Sequence, residues 1–235
     1  NVNFIVSIIA AILVGTLCGA LNGILSNKLK IHTMIVTLAT MTLFQGLSYI
    51  ISQSKSFSSL PAAFKFIGQG YLGNLPVSIF ALIAIVAVVS FILNKTHYGR
   101  YVYAIGGNPD AAHLAGINVE RVRLRTFALN GALVGLAAVL LISRSGSASS
   151  AMGTSLQFDS ITACILGGVS FTGGSGKVSN AVLGVLCLGV LSNGMQLIGW
   201  GIYVQYVVKA ILLVIAIAFD MYTKNKVLAD DAANG

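Results

Sequence analysis

The strongest constraint on this chain is a series of apolar runs, several of which reach the roughly 20 residues needed to cross a ~30 Å hydrocarbon core. The runs lie at 4–26, 33–52, 76–93, 126–142, 157–170, 179–197 and 203–220. Only 9% of the 235 residues are charged, whereas a soluble domain carries about 25%. A soluble globular fold is therefore excluded. The sequence predicts an all-α, polytopic transmembrane helix bundle with about six or seven spans in this fragment.

The domain organisation follows from these runs. We expect one transmembrane domain over 1–226 and a disordered tail over 227–235. The chain starts at Asn1, at the edge of an apolar run and without a signal-peptide pattern, so we expect upstream sequence to be missing. The run 157–170 is short and precedes glycine-rich sequence, so a tilted span, a half-helix and a re-entrant segment are all open.

The net charge of +8 arises from Lys and Arg residues in short gaps between apolar runs. This distribution argues against nucleic-acid binding and is typical of a membrane protein that fixes its orientation. If the polar loop 94–125 is cytoplasmic and all seven runs cross, ten basic residues lie inside and three outside. The inner set is Lys28, Lys30, Lys95, Arg100, Arg121, Arg123, Arg125, Lys177, Lys224 and Lys226, and the outer set is Lys55, Lys65 and Arg144. The asymmetry favours a crossing by 157–170 and predicts a cytoplasmic C-terminus.

Small residues recur at helical spacing in two of the runs. Gly15, Gly19 and Gly23 share one helix face, as do Gly131 and Gly135. Such residues let helices approach closely in lipid. Packing within the bundle and homodimerisation through the same face are both open.

The loop 94–125 contains the signals of a short cytoplasmic helix. Gly106-Gly107 predicts a flexible turn, Asn108 an N-cap before Pro109, and Gly116 the end of the helix. The predicted exposed side consists of small residues, which are Ala111, Ala112, Ala115 and Gly116. Such a helix can dock in a cleft of a partner protein, or it can belong to an interfacial loop that basic residues hold against lipid headgroups.

A resemblance to a known family comes from this loop and from two further motifs. The loop carries Gly99-Arg100, Tyr103-Ala104-Ile105-Gly106-Gly107-Asn108, Asp110-Ala111-Ala112 and Gly116-Ile117. The second motif consists of Leu21-Asn22-Gly23 and residues 35–40. The third motif consists of Ile165-Leu166-Gly167-Gly168 and residues 173–176. Together they resemble ribose-type permeases of ABC sugar importers, a family that includes xylose, galactose and autoinducer-2 permeases. The resemblance covers about residues 10–220.

The resemblance implies a set of partners for a permease in the bacterial inner membrane. These are a second permease subunit (identical or paralogous), a cytoplasmic ATP-binding-cassette ATPase and a periplasmic solute-binding protein, with membrane lipid around them. The ATPase would bind ATP and Mg, and this chain would hold no cofactor. In ABC importers such loops dock on the ATPase through an E-A-A-x-x-x-G motif, which Asp110-Ala111-Ala112 and Gly116 resemble with Asp in place of Glu. The Ile-x-Leu-Pro continuation is absent. We expect the docked helix to transmit motion to the spans 76–93 and 126–142.

Polar side chains within the spans are the candidates for a solute pathway, because amides can pass an uncharged sugar without burying a charge. They are Asn22, Asn130, Asp159, Asn193 and Gln196, with Gln45, Gln157 and Gln205 as further amides. Asp159 and Lys209 are the strongest of these pointers, since ionisable groups at membrane depth are costly and usually functional. Each amide can instead bond a neighbouring helix, and Lys209 can snorkel or pair with a carboxylate.

The sequence offers no candidate catalytic residue or metal site. Gly173-Gly174-Ser175-Gly176-Lys177 lacks the spacing of a phosphate-binding loop. Cys18, Cys164 and Cys187 read as packing residues in apolar runs. The leading hypothesis is therefore an ATP-driven sugar permease subunit. The alternatives are an ion-coupled secondary transporter, for which Asp159 is the candidate carboxylate, and a structural membrane protein without transport.

Overall fold

The computed structural model describes residues 4–58 and 60–233, and their side chains as far as Thr223. The described elements are α1 (Phe4–Leu29), α2 (Thr33–Ser52), α3 (Ala62–Gln69), β1 (Tyr71–Leu72), β2 (Leu75–Pro76), α4 (Val77–Lys95), α5 (His97–Gly107), α6 (Pro109–Leu114), α7 (Val119–Ser145), α8 (Leu156–Leu166), α9 (Val178–Leu197) and α10 (Ile202–Ala233). The two short strands form an antiparallel hairpin around Gly73, whose φ is +65°.

Six of the described helices are long and apolar enough to cross a membrane, which confirms the predicted helical bundle. They are α1, α2, α4, α7, α9 and the 22-residue apolar part of α10 that ends at Thr223. The run at 157–170 forms a shorter helix than predicted, because α8 ends at Leu166 and Gly168 follows with φ +78°. At 1.5 Å per residue, α8 is ~16 Å long, about half of a ~30 Å hydrocarbon core.

The helix ends differ from the predictions at three other places. Helix α7 begins at Val119, seven residues before the predicted start at 126. The tail predicted from residue 227 onward continues α10 as far as Ala233, and 234–235 lie outside the described residues. Leu228 and three alanines, Ala229, Ala232 and Ala233, are strong helix formers within this stretch. Gly106 and Gly107, predicted as a flexible turn, are the last two residues of α5.

The described chain divides into two compact units. The first unit comprises Asn1–Ala87 and His113–Met152, and the second comprises Val88–Ala112 and Gly153–Gly235. The first is centred on α1 and α7, with α3 packed on the C-terminal part of α7. The second is centred on α8, which packs against α9 and α10.

The glycines of α1 and α7 form the contact between these two helices, which we call the glycine seam (Gly15, Gly19, Gly131 and Gly135). A Cβ atom on Gly19 would overlap the carbonyl oxygen of Phe127, and one on Gly131 would overlap that of Gly15. The two backbones therefore touch directly. This outcome is the packing interpretation of the glycine spacing, since the face is occupied within the chain.

A buried serine holds the short helix α3 on α7. Ser143 is 0% exposed, and its hydroxyl donates to the carbonyl oxygen of Phe64 at 2.6 Å. The Ser143 hydroxyl oxygen in turn accepts a hydrogen bond from the backbone N–H of Gly68 at 2.7 Å. These bonds satisfy a polar group that the apolar surroundings would otherwise penalise.

Candidate functional site

The loop between α4 and α7 contains two helices that are capped from within. The Thr96 hydroxyl accepts from the backbone N–H of Gly99 at 3.3 Å and begins α5. Asn108 Oδ1 accepts from the backbone N–H groups of Asp110 and Ala111, both at 3.0 Å, and begins α6. This is the N-cap predicted from Asn108-Pro109, and α6 occupies the predicted position of the short helix.

The exposed surface of α6 is less uniformly small than predicted. Ala112 is only 5% exposed, so it belongs to the buried side of the helix, whereas Ala111 and Asp110 are exposed. Leu114, which the sequence did not single out, is 88% exposed. Gly116 follows with φ +84° and open space around its Cα, as expected for the residue that ends the helix.

A hollow of about 410 Å³ lies where the chain passes from α6 into α7. Its wall includes His113, Gly116, Ile117 and Glu120. Asn118 caps α7 by accepting from the backbone N–H of Arg121 at 3.0 Å. This part of the loop therefore has a concave surface with apolar and polar residues in its wall, and an exposed leucine, Leu114, in the helix before it.

The remaining predicted loop residues lie in α5. Gly99 is buried, and a Cβ there would overlap the carbonyl oxygen of Leu93 at the end of α4. Arg100 is exposed, and its guanidinium lies 2.7 Å from His97 Nδ1. Gly107 has open space where its Cβ would be.

A second loop, the glycine loop (residues 167–177), contacts α5 inside the second unit. The Tyr103 hydroxyl donates to the carbonyl oxygen of Gly176 at 2.9 Å. A Cβ on Gly106 would overlap the backbone nitrogen of Gly174, so these two backbones also touch. Gly106 is therefore required by a contact about 70 residues away along the chain, which a local reading of the sequence cannot detect.

Asp220 holds the same glycine loop from α10. Its Oδ2 accepts from the backbone N–H of Phe171 at 3.1 Å and from the Ser170 hydroxyl at 3.4 Å. The sequence analysis did not single out Asp220, which is the last residue of the predicted span 203–220. An acidic residue at the end of an apolar run was the available signal.

Two of the predicted pathway amides, Asn22 and Asn130, line one cavity of about 700 Å³ in the first unit. The cavity wall also includes Thr37 and Phe44 of α2. Asn22 Oδ1 is buried and has no hydrogen-bond partner among the described residues. An orphaned acceptor of this kind is costly in an apolar environment unless a ligand or water supplies a donor.

Asp159 and Lys209 are brought together in the second unit. Lys209 Nζ lies 2.9 Å from Asp159 Oδ2, which joins α8 to α10. Of the alternatives open for Lys209, pairing with a carboxylate is therefore the one observed. Two cavities, of about 530 Å³ and 260 Å³, have both residues in their walls.

The other amides have different surroundings. Asn193 and Gln196 are exposed on α9 and line neither of these cavities. Gln205 is buried, and its Nε2 donates to the carbonyl oxygen of Trp200 at 3.2 Å. Within the described ranges, no three His, Cys, Asp or Glu residues lie close enough to hold a metal ion.

Comparison with known proteins shows the family. Residues 1–217 match the family described as the branched-chain amino acid transport system / permease component. The chain is 40% identical over 195 residues to the L-arabinose transport system permease protein AraH of Escherichia coli K12, which covers 83% of this chain and 60% of AraH. It is 37% identical over 205 residues to the ribose import permease protein RbsC of Haemophilus influenzae, which covers 86% of this chain and 64% of that protein. The chain belongs to this permease family.

The resemblance to ribose-type sugar permeases is thereby confirmed, since these relatives are named as arabinose and ribose permeases. This permease-family chain spans less than two thirds of the length of these two relatives. It covers 70% of RbsC of Escherichia coli K12, to which it is 33% identical over 223 residues. No solved structure matches the chain. Family membership and the six apolar helices together show an integral inner-membrane protein.

Proposed function

We propose that this chain is the membrane-spanning permease subunit of an ATP-binding-cassette importer for a sugar or sugar-like solute. The main observation behind this proposal is that residues 1–217 match a permease family. The similar proteins are named as arabinose and ribose permeases. We further propose that the exposed helix α6, which lies between two apolar spans, is the docking surface for a cytoplasmic ATPase.

The partners proposed are those of an importer assembled from separate chains. A periplasmic binding protein delivers the solute, a second permease copy or paralogue completes the pathway, and two ATPase subunits bind ATP and Mg. This chain itself binds no nucleotide and does no chemistry. Its task is to open and close a path in response to the ATPase.

The contacts of the glycine loop support a cytoplasmic C-terminus. If α4 and α7 both cross, α5 and the start of α7 share one side and Ser145 lies on the other. The glycine loop bonds α5 through Tyr103, so the segment 146–172, α8 included, has to return across the membrane. After α9 and α10 the chain is back on the side of α5, in agreement with the contact of Asp220 with Phe171. The Lys and Arg bias assigns that side to the cytoplasm.

The same contacts support a second route for coupling beside the predicted action of the docking helix on the spans 76–93 and 126–142. In the second unit, α5 touches the glycine loop at Gly174, and that loop continues α8 and is bonded to Asp220 of α10. A push on α6 and α5 is therefore passed to α8 and α10 through the glycine loop. Backbone contact without an intervening side chain makes this link stiff.

The docking surface is tested by co-purification. The full-length permease is expressed with its candidate ATPase and purified through a tag on the permease, as wild type and as Leu114→Glu. The matched control is Leu72→Glu, an exposed leucine of the β-hairpin that precedes α4. A charge at an apolar docking residue removes its burial and costs about 1.5–3 kcal/mol or more, so we expect at least tenfold less ATPase with Leu114→Glu.

The control sets the limits of this experiment. The Leu72→Glu variant is expected to retain the wild-type amount of ATPase, because Leu72 precedes the span α4 and α6 follows it. Equal retention by both variants would contradict docking at α6. A folded wild type that retains no ATPase would contradict the importer and move the ion-coupled transporter to the front.

A further inference from the structure

The ion pair between Asp159 and Lys209 requires an explanation beyond helix packing. Lys209 lies seven residues after Ile202, ~10 Å into the span at 1.5 Å per residue. Charged groups at that depth are rare and usually face a cavity or a partner. The two side chains do both, since they bond each other while Lys209 stays 17% and Asp159 30% exposed.

The exposed parts of the pair face two cavities of different size. The larger, about 530 Å³, lies within the range of ~300–1,000 Å³ that is usual for small-molecule sites. Its wall includes the aromatic residues Phe158 and Tyr206, together with Ser155 and the buried Thr162. The smaller, about 260 Å³, adds Ser160 and Ser192 on the α9 side of the pair.

Hydrogen-bonding capacity remains on both charged groups. The pair uses Oδ2 of Asp159, and Oδ1 accepts no hydrogen bond from any described residue. The Lys209 ammonium has three N–H groups and uses one of them on Asp159. The exposed Ser160 hydroxyl donates to the carbonyl oxygen of Leu156 at 2.7 Å, so its oxygen can still accept.

These features together favour an uncharged polyhydroxy ligand. A vicinal diol both donates and accepts, which suits a carboxylate beside an ammonium, and the apolar C–H face of a sugar ring packs on aromatic side chains. The pair has no net charge. An anion or a cation would leave one buried charge uncompensated, whereas a neutral solute leaves the balance intact.

We propose that Asp159 and Lys209, with Phe158 and Tyr206, form a transient binding site for a monosaccharide-like solute inside the permease. This inference rests on the proposed function. The solute enters by opening the ion pair, takes a hydrogen bond from Lys209 and gives one to Asp159, and the pair closes again behind it. The site thereby serves as a step of the pathway and as its barrier when empty.

The site is tested in proteoliposomes that contain the full-length permease, its ATPase and its binding protein, with D-ribose and L-arabinose as probes. The neutral variant is Asp159→Asn with Lys209→Gln, and the matched variant exchanges the charges, Asp159→Lys with Lys209→Asp. Sugar uptake per ATP hydrolysed and the thermal midpoint are measured for each. A lost hydrogen bond to a charged group corresponds to about a tenfold effect or more.

We expect both variants to keep a midpoint close to that of the wild type and to lose at least about tenfold in sugar uptake per ATP. In the exchange variant, the ammonium and the carboxylate have exchanged positions relative to the rings of Phe158 and Tyr206. A bound sugar then meets a donor where it needs an acceptor. Wild-type uptake by the exchange variant would overturn the site and leave a structural clamp between α8 and α10. Absence of ATP-driven uptake by the wild type would instead contradict the proposed function, and with it this site.

A second measurement needs no change of charge. Ser155→Cys, in a chain whose three native cysteines are replaced by alanine, places a thiol in the wall of the larger cavity. Excess D-ribose is expected to slow its labelling by a water-soluble thiol reagent several-fold, with no effect on Leu72→Cys. Labelling that is indifferent to sugar, or that depends only on the lipid composition of the vesicles, would overturn the site.

Discussion

Within this permease-family chain, the inside of one compact unit differs from the inside of the other in its ion pair at an apolar span. In the first unit, glycines allow the backbones of α1 and α7 to touch along the glycine seam. The second unit also has close backbone contacts, since a Cβ on Gly184 of α9 would overlap the carbonyl oxygen of Ala163 in α8. In addition, one ion pair joins α8 to α10, and Tyr103 and Asp220 hold the glycine loop. Close backbone packing deforms little, whereas a few polar bonds can break and re-form. We therefore expect the ion pair and the polar bonds of the glycine loop to be the contacts of the second unit that break and re-form.

The largest effect is expected from a side chain in the seam. Gly19→Leu places a branched side chain where even a Cβ would overlap the Phe127 carbonyl. Overpacking of this kind costs about 3 kcal/mol or more, so we expect most of the protein to be lost as aggregate. The remaining protein is measured by its thermal midpoint in detergent.

Its control is Gly46→Leu in α2, where a Cβ meets nothing within 4 Å. This variant is expected to be as stable as the wild type, since glycine in a helix interior is itself unfavourable by about 1 kcal/mol. Equal losses in the two variants would mean that the seam is no tighter than any other helix surface.

An intermediate effect is expected from Lys209→Met, which leaves the Asp159 carboxylate without its partner. Breaking a buried ion pair costs about 3–5 kcal/mol, and access to the cavities reduces this to about 2 kcal/mol. Adding Asp159→Asn to the same chain should recover most of the loss. Thermal midpoints of the two single variants and the double variant measure the coupling. Additive losses would show that the two charges do not stabilise each other.

The smallest effect is expected from Asp220→Ala. Hydrogen bonds to a charged acceptor contribute about 1.5–3 kcal/mol when buried, and at this partly exposed position we expect about 1 kcal/mol. The change should be local, so the Phe171 amide should exchange its hydrogen faster while the amides of α7 remain unchanged. Unchanged exchange at Phe171 would show that Asp220 does not hold the loop.

Features with a local signal were predictable from sequence. Apolar runs place the long helices to within a few residues, except at the start of α7 and the end of α10. Asn108 and Gly116 mark the ends of α6. The glycine spacing predicted a close helix contact, though not which helices would meet. The seam pairs residues more than 100 positions apart, and no local rule specifies that pairing.

Features that depend on tertiary contact were not predictable. Gly106 and Gly107 read as a turn, yet they end α5 where Gly174 approaches. Asp159 and Lys209 were each noted as costly charges, but their pairing across 50 residues depends on how α8 packs against α10. Among the amides, Asn22 and Asn130 share a cavity, whereas Asn193 faces outward on α9. Residue type alone does not separate these cases.

The central claim is that the contact of α5 with the glycine loop couples the ATPase to the pathway. Gly174 and Gly168 lie in the same loop with φ of +80° and +78°, but only at Gly174 would a Cβ meet α5, at the backbone of Gly107. The deciding measurement is sugar uptake per ATP by the reconstituted transporter with Gly174→Ala and with Gly168→Ala. Both alanines carry the same backbone strain, about 1–2 kcal/mol. We predict that Gly174→Ala uncouples uptake from ATP hydrolysis at least several-fold more than Gly168→Ala, and equal coupling in the two variants would contradict the account.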